Sequence, residues 1–246
     1  VEKYRKKFMS DNQKDNFKKV AKKHQPRSMK ILYEDRDIIV INKRSGLLTV
    51  STDQVVENTA YYILNDYVKK GVQKSSKRAL IVHRLDKDTS GVLVFAKSDK
   101  AKKYLQSEWA NFSKKYYAVV HGILRKKEGI IASYIAENSA HKMYSVGNPE
   151  DGKYAKTGYK VIEEMGDYSL VEINLYTGRK NQIRVHFSEN GHPIVGDKRY
   201  GEIKETKRLG LHAGVLSIVH PYTKKPMVFE APLPHDFRML MKKSKQ

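Results

Sequence analysis

Cysteine is absent from all 246 residues. That excludes disulfide scaffolds, Cys-ligated zinc, iron–sulfur clusters and Cys nucleophiles. Among enzymes acting on nucleobases, it removes zinc deaminases with Cys ligands and C5 methylation through a thiolate. Apolar runs such as residues 91–96 are far too short to span a bilayer. The first residues are polar and charged, with no signal-peptide pattern, so the expected location is cytoplasmic, away from any membrane. Carboxylates are scarce: 27 Asp and Glu stand against 48 Lys and Arg, a net charge of +21. An excess on that scale implies a polyanionic partner, nucleic acid ahead of an acidic membrane surface.

What remains is enough for a core, since 39% of the residues are hydrophobic. Residues 1–30 carry 11 Lys or Arg and 3 acidic groups, a net +8. Asp11 is placed to cap a helix reaching about His24, which Pro26 ends. Residues 1–28 therefore read as a basic extension and 29–246 as the folded domain. Strands are expected at 30–34, 37–42, 79–82, 91–96, 116–120, 129–135, 158–163, 168–175, 214–219 and 227–230. Helical spacing marks 58–70, 98–112 and 179–189. Many strands with a few interspersed helices predict an α+β fold on a mixed, largely antiparallel sheet.

Residues 83–91 stand out. Two apolar, β-branched runs flank a polar loop holding His83, Arg84, Asp86, Asp88, Thr89 and Ser90. One Asp in a turn commonly bonds its own backbone and nothing more. A carboxylate fixed at a strand end in a cationic chain can instead serve as base, metal ligand or nucleophile. Strand-end loops are also where sites concentrate. No G-x-x-x-x-G-K-[ST] phosphate cradle accompanies Asp86 and Asp88. His186, His192, His212 and His220 fit no zinc spacing, and no metal is expected. Asp197, after Gly196, reads as a turn residue.

The string His83-Arg84-Leu85-Asp86-x-x-Thr89-Ser90-Gly91 resembles the signature of the RluA-type pseudouridine synthases. Four more segments resemble that family's motifs, in family order. They are Asp35-x-Asp37 running into Lys43 and Ser45-Gly46, and Lys114-x-Tyr116 through His121-Gly122. Thr177-Gly178-Arg179-x-x-Gln182-Ile183-Arg184 through Tyr200-Gly201 follows, then Leu209-x-Leu211-His212 through His220-Pro221. The resemblance spans roughly residues 30–235.

It implies a pseudouridine synthase fold around an RNA-binding cleft, with 29–246 as the catalytic domain. It implies isomerisation of uridine in structured RNA, ribosomal ahead of transfer RNA, without cofactor or metal. Asp86 would be the nucleophile, attacking either C1′ of the sugar or C6 of the base, once the uridine is flipped out. Arg84 would fill the gap in the stack. Tyr116 would stack on the base, and Arg184 would pair with the catalytic Asp and keep it ionised. Leu211 would wall the uracil pocket, with His83, Thr89, Arg179 and Gln182 also at the substrate. A monomer is expected. Arg44 stands where the family commonly has Pro, and Lys180-Asn181 where it has Thr-His. Both departures predict local effects on RNA contacts. The competing reading is an RNA-binding or ribosome-assembly protein that keeps the fold without turnover.

Overall fold

The computed structural model describes residues 25–26, 29–51, 57–70, 72, 75–201, 206 and 208–242. The helix expected from Asp11 to His24, and nearly all of the basic extension, lies outside the described residues. In chain order come β1 (Met29–Glu34), β2 (Ile38–Lys43), α1 (Ala60–Lys69), β3 (Leu80–Ile81), β4 (Ser90–Ala96) and α2 (Asp99–Ser107). Then follow β5 (Ser113–His121), β6 (Glu128–Glu137), β7 (Met143–Val146), β8 (Lys153–Met165), β9 (Tyr168–Leu175) and α3 (Gln182–Glu189). The last are β10 (Leu211–Val219), β11 (Pro226–Glu230) and α4 (Asp236–Lys242). This is the α+β fold that the strand-rich pattern predicts.

Two compact units emerge. The first takes the described part of Val1–Ser113 with Val215–Ala231, and the second that of Lys114–Gly214 with Pro232–Gln246. In the first, strands run β1-β2-β4-β10, with β3 on β4 and β11 on β10. All seven residues of β4 are buried, which is why its sequence is continuously apolar rather than alternating. Val92 and Val94 pack with Ile38, Val40, Leu216, Ile218 and Phe229. Each such side chain contributes roughly 1.5–3 kcal/mol by leaving water. Helix α1 is capped by Thr59, whose hydroxyl accepts from Tyr62 N, and buries Ala60, Leu64 and Val68 at four-residue spacing. Ser98 caps α2 in the same way. That helix is shorter than its apolar pattern suggested: it stops at Ser107, and Trp109–Asn111 continue as a 3₁₀ turn.

In the second unit the order is β10-β5-β9-β8-β6-β7. Pairs β5·β9, β9·β8, β8·β6 and β6·β7 are all antiparallel. One face of this sheet, through Ala118, Val120, Val171 and Ile173, packs on Ile183 and Phe187 of α3. The other face, through Val119 and Leu170, packs on Phe237, Leu240 and Met241 at the C-terminal end. Helix α3 starts at Gln182 rather than 179, because Asn181 adopts a left-handed conformation and breaks the run. Among the described residues, no helix is long and apolar enough to cross a membrane.

Candidate active site

The loop between β3 and β4 is held by backbone and side-chain bonds from the segment after β2. Thr49 Oγ1 donates to Leu85 O at 2.8 Å and accepts from Leu85 N at 3.2 Å. Gly46 N donates to Lys87 O, and Ser45 Oγ to Asp88 O at 2.7 Å. Thr89 N closes a turn on Asp86 O at 3.2 Å. Gly91 then takes φ +118°, where a side chain would be strained, and the chain enters β4. On this frame Asp86 is half-buried, Arg84 is exposed at the tip, and Thr89 is buried. His83 accepts from Val94 N through Nε2 at 3.2 Å and stacks on Trp109 at 4.2 Å. Its ring is thereby fixed within the fold.

Beneath the loop lies Lys43, which belongs to the first motif but has no role assigned to it from sequence. The side chain of Lys43, wholly buried, donates to Leu47 O at 2.6 Å, Lys87 O at 2.9 Å and Arg44 O at 3.1 Å. Burial brings its amine down to about 7, against the pull of Asp88 and Asp86, which favour the charged form. A lysine closing an apolar strand looks like a surface residue in sequence. The signal that could have found it is the polar string downstream, which needs a donor.

In the second unit, Tyr116 on β5 is partly buried against the cluster that contains Leu211 and Ile183. Its neighbour Tyr117 packs with the opposite cluster, as alternation along a strand requires. Arg184 on α3 reaches Asp197 by two bonds of 2.7 Å, from Nε and Nη2 to the two carboxylate oxygens. Its guanidinium also lies 5.0 Å from the centre of the Tyr200 ring. The Tyr200 hydroxyl accepts from Met143 N and Asn181 Nδ2, which fixes that ring in turn. Burial alone would push the Asp197 carboxyl up. The Arg184 guanidinium and the N–H groups of Arg199 and Tyr200 overcome this and hold it below the usual carboxylate range. Asp197 does serve a turn, as its Gly-Asp sequence suggested, but it also clamps Arg184.

Gln182 is buried, and its amide is fully engaged within the protein. Its Oε1 accepts from Thr177 Oγ1 and Arg179 N, while Nε2 donates to Lys156 O and Thr157 Oγ1. Sequence placed it at the substrate; the geometry makes it the bolt that sets Arg179, whose exposed guanidinium donates to Tyr154 O.

Asp35, Asp37 and His220 bring ligand-type atoms within 4.8 Å of one another. However, Asp35 Oδ1 accepts from the N–H groups of Asp37 and Ile38, and Oδ2 from Tyr33 and His220. Those bonds make it a structural corner that ties β1 to the end of β10.

The expected residues thus fall into two constellations. His83, Arg84, Asp86 and Thr89 share one anchored loop of the first unit. Tyr116, Leu211, Arg184, Arg179 and Gln182 belong to the second. A half-buried carboxylate on a fixed loop is suited to nucleophilic or base chemistry.

Comparison with known proteins identifies the family. The profile of a family described as RNA pseudouridylate synthase matches residues 37–189. A Bacillus subtilis (strain 168) protein named uncharacterized RNA pseudouridine synthase YlyB is 39% identical over 225 residues, covering 88% of this chain and 73% of that protein. Ribosomal large subunit pseudouridine synthase D of Blochmanniella floridana is 35% identical over 232 residues, covering 87% and 72%. The solved structure of human RNA pseudouridylate synthase domain containing 4 superposes with a TM-score of 0.71 at 25% identity, over 85% of this chain and 90% of that one.

Proposed function

This chain belongs to the RNA pseudouridylate synthase family, and from that premise we propose that it isomerises a uridine of ribosomal RNA with Asp86 as nucleophile. The observation that carries this reading is the half-buried Asp86 on a loop fixed from below by Lys43 and from the side by Thr49. The carboxylate adds to C1′ of the sugar or C6 of the base. The N1–C1′ bond breaks, the uracil turns, C5 joins C1′, the bond to the Asp86 carboxylate breaks, and the C5 proton leaves to solvent while N1 takes one up. Product and substrate have the same atoms, so no oxidant, reductant or energy source is consumed.

Arg84, exposed at the tip of the loop, takes the flipped base's place in the stack. Tyr116 and Leu211 are the assigned walls of the uracil pocket, and Arg184 the assigned basic residue of the reaction. His83, Thr89 and Gln182 shape the site from within the fold, while Arg179 offers an exposed cation to phosphate. Residues 29–246 form the catalytic domain and act as a cytoplasmic monomer, with 1–28 as a basic arm. The ribosomal preference rests on relatives named as ribosomal large subunit enzymes.

The deciding experiment is tritium release from C5-tritiated uridine in RNA from cells lacking the enzyme, split into ribosomal and transfer pools. Release from ribosomal RNA by the native protein, and none by Asp86→Ala, is the expected result. Release by Asp86→Ala would overturn the nucleophile, and release from transfer RNA alone would overturn the substrate.

A further inference from the structure

The two faces of the second unit's sheet differ sharply at its β6–β7 end. On one face, Ile135, Met143 and Ala155 are buried in a cluster with Val185 of α3. On the other, register alone sets up a surface of aromatic rings. Tyr134 stands opposite Val146 on β7 and Tyr154 on β8, and Tyr144 stands opposite Ala136. Tyr144 is 41% exposed and Tyr154 45%. The rings of Tyr134 and Tyr154 meet edge to face at 5.6 Å.

The next row holds Ala132 opposite Lys156, and beyond it Tyr176, whose N–H bonds Lys156 O. Gly158 makes room for Tyr176: a Cβ there would come within 2.9 Å of the ring, so the tyrosine lies down on the sheet. Lys156 Nζ sits 5.2 Å from the centre of that ring. Among the described residues, the paired positions from Tyr144 to Lys156 on this face carry one charge, and it is positive. Acidic groups of this face begin further along, at Glu128 and Glu172.

We propose that this face, formed by Tyr134, Tyr144, Tyr154 and Tyr176 with Lys156, is a stacking platform for unpaired bases of the RNA substrate. The inference rests on the RNA-modifying reading and extends it to a second contact surface. Flat rings displayed on a sheet accept bases of any identity, and cations among them meet the phosphates. The positive bias favours a polyanion, in a chain of net charge +21. The platform lies on the sheet face opposite α3, the helix that carries Arg184, so it engages RNA flanking the target uridine rather than the uridine itself.

The test measures affinity, by anisotropy at fixed salt, for a labelled single-stranded oligouridine and for a perfect RNA duplex. Tyr144→Ala and Tyr154→Ala should each weaken single-strand binding about fivefold or more and leave duplex binding within about twofold. Tyr154→Phe keeps the ring and should restore native affinity. Crosslinking with 4-thiouridine in the single strand should map to the peptides that hold Tyr144, Tyr154 or Tyr176. Equal losses for duplex and single strand, or a Phe variant as weak as the Ala variant, would overturn stacking. A native dimer dissociated by Tyr144→Ala, with RNA affinity unchanged, would give the face to a second copy and overturn the proposal. Failure of the functional reading shows elsewhere, as native protein that forms no pseudouridine while the binding differences persist.

Discussion

Arg184 and Asp197, thirteen residues apart, face each other through two bonds of 2.7 Å, and the Asp197 side chain has no exposed surface. A bidentate pair fixes the plane of a guanidinium as well as its position. Arg184 therefore projects from α3 in one orientation, stacked on Tyr200.

Asp197→Asn removes the charge and keeps the shape. Breaking a buried pair from one side costs about 3–5 kcal/mol of stability. Turnover should fall about 100-fold through misplacement of Arg184, while the RNA Kd changes by less than about threefold. Single-turnover kinetics and filter binding at a temperature well below Tm check both. Unchanged turnover in a folded variant would remove Arg184 from the chemistry.

Arg84 is exposed and outside the core, so Arg84→Ala should leave Tm within about 1 °C, as surface changes do. If it fills the stack, turnover drops much more than overall RNA affinity. Equal losses in both would make it a plain phosphate contact.

The Lys43 amine, lowered by burial to about 7 from an ordinary lysine value, links stability to alkaline pH. Between about pH 7 and pH 10 the unfolded chain holds the proton and the folded chain does not, so stability rises with pH. Lys43→Met removes that dependence. The difference in unfolding free energy between native and variant, followed by urea titration from pH 6.5 to 10, should therefore slope with pH. A flat difference would mean that the buried amine stays charged.

His186 titrates in the opposite region. Burial pulls its imidazole down to about 4, and the neutral ring bonds Thr157 and Ser133. Stability is fully present above about pH 6.5 and is lost as pH falls toward 4, because the unfolded chain takes up the proton first. His186→Asn should flatten this acid limb, as read by Tm between pH 4 and pH 7.

Most of the architecture was legible because burial leaves a pattern. β4 reads as a continuous apolar run since both its faces are covered, and Ser98 announces α2 through a cap that the structure uses. β7 escaped notice because four residues, only one of them buried, give too little alternation to count. The C-terminal α4 escaped for the same reason, at seven residues. In the site, the Asp86 loop was visible as polarity between apolar strands. Lys43 and Asp197 were not, because a buried ion is recognised by the partners it finds in space. In sequence, one looked like a strand-end lysine and the other like a turn aspartate.

Every backbone carbonyl from Leu85 to Asp88 is matched to a donor, namely Thr49, Thr89, Lys43 with Gly46, and Ser45. Surface loops ordinarily tolerate insertion and resist little else. This one has the reverse constraint. Adding or deleting a residue would misalign all four matches at once, whereas the exposed side chains of Lys87 and Asp88 take no part in them. Its length is fixed while its outward identity is free to drift, so those two side chains can change without disturbing the carboxylate between them and the strand.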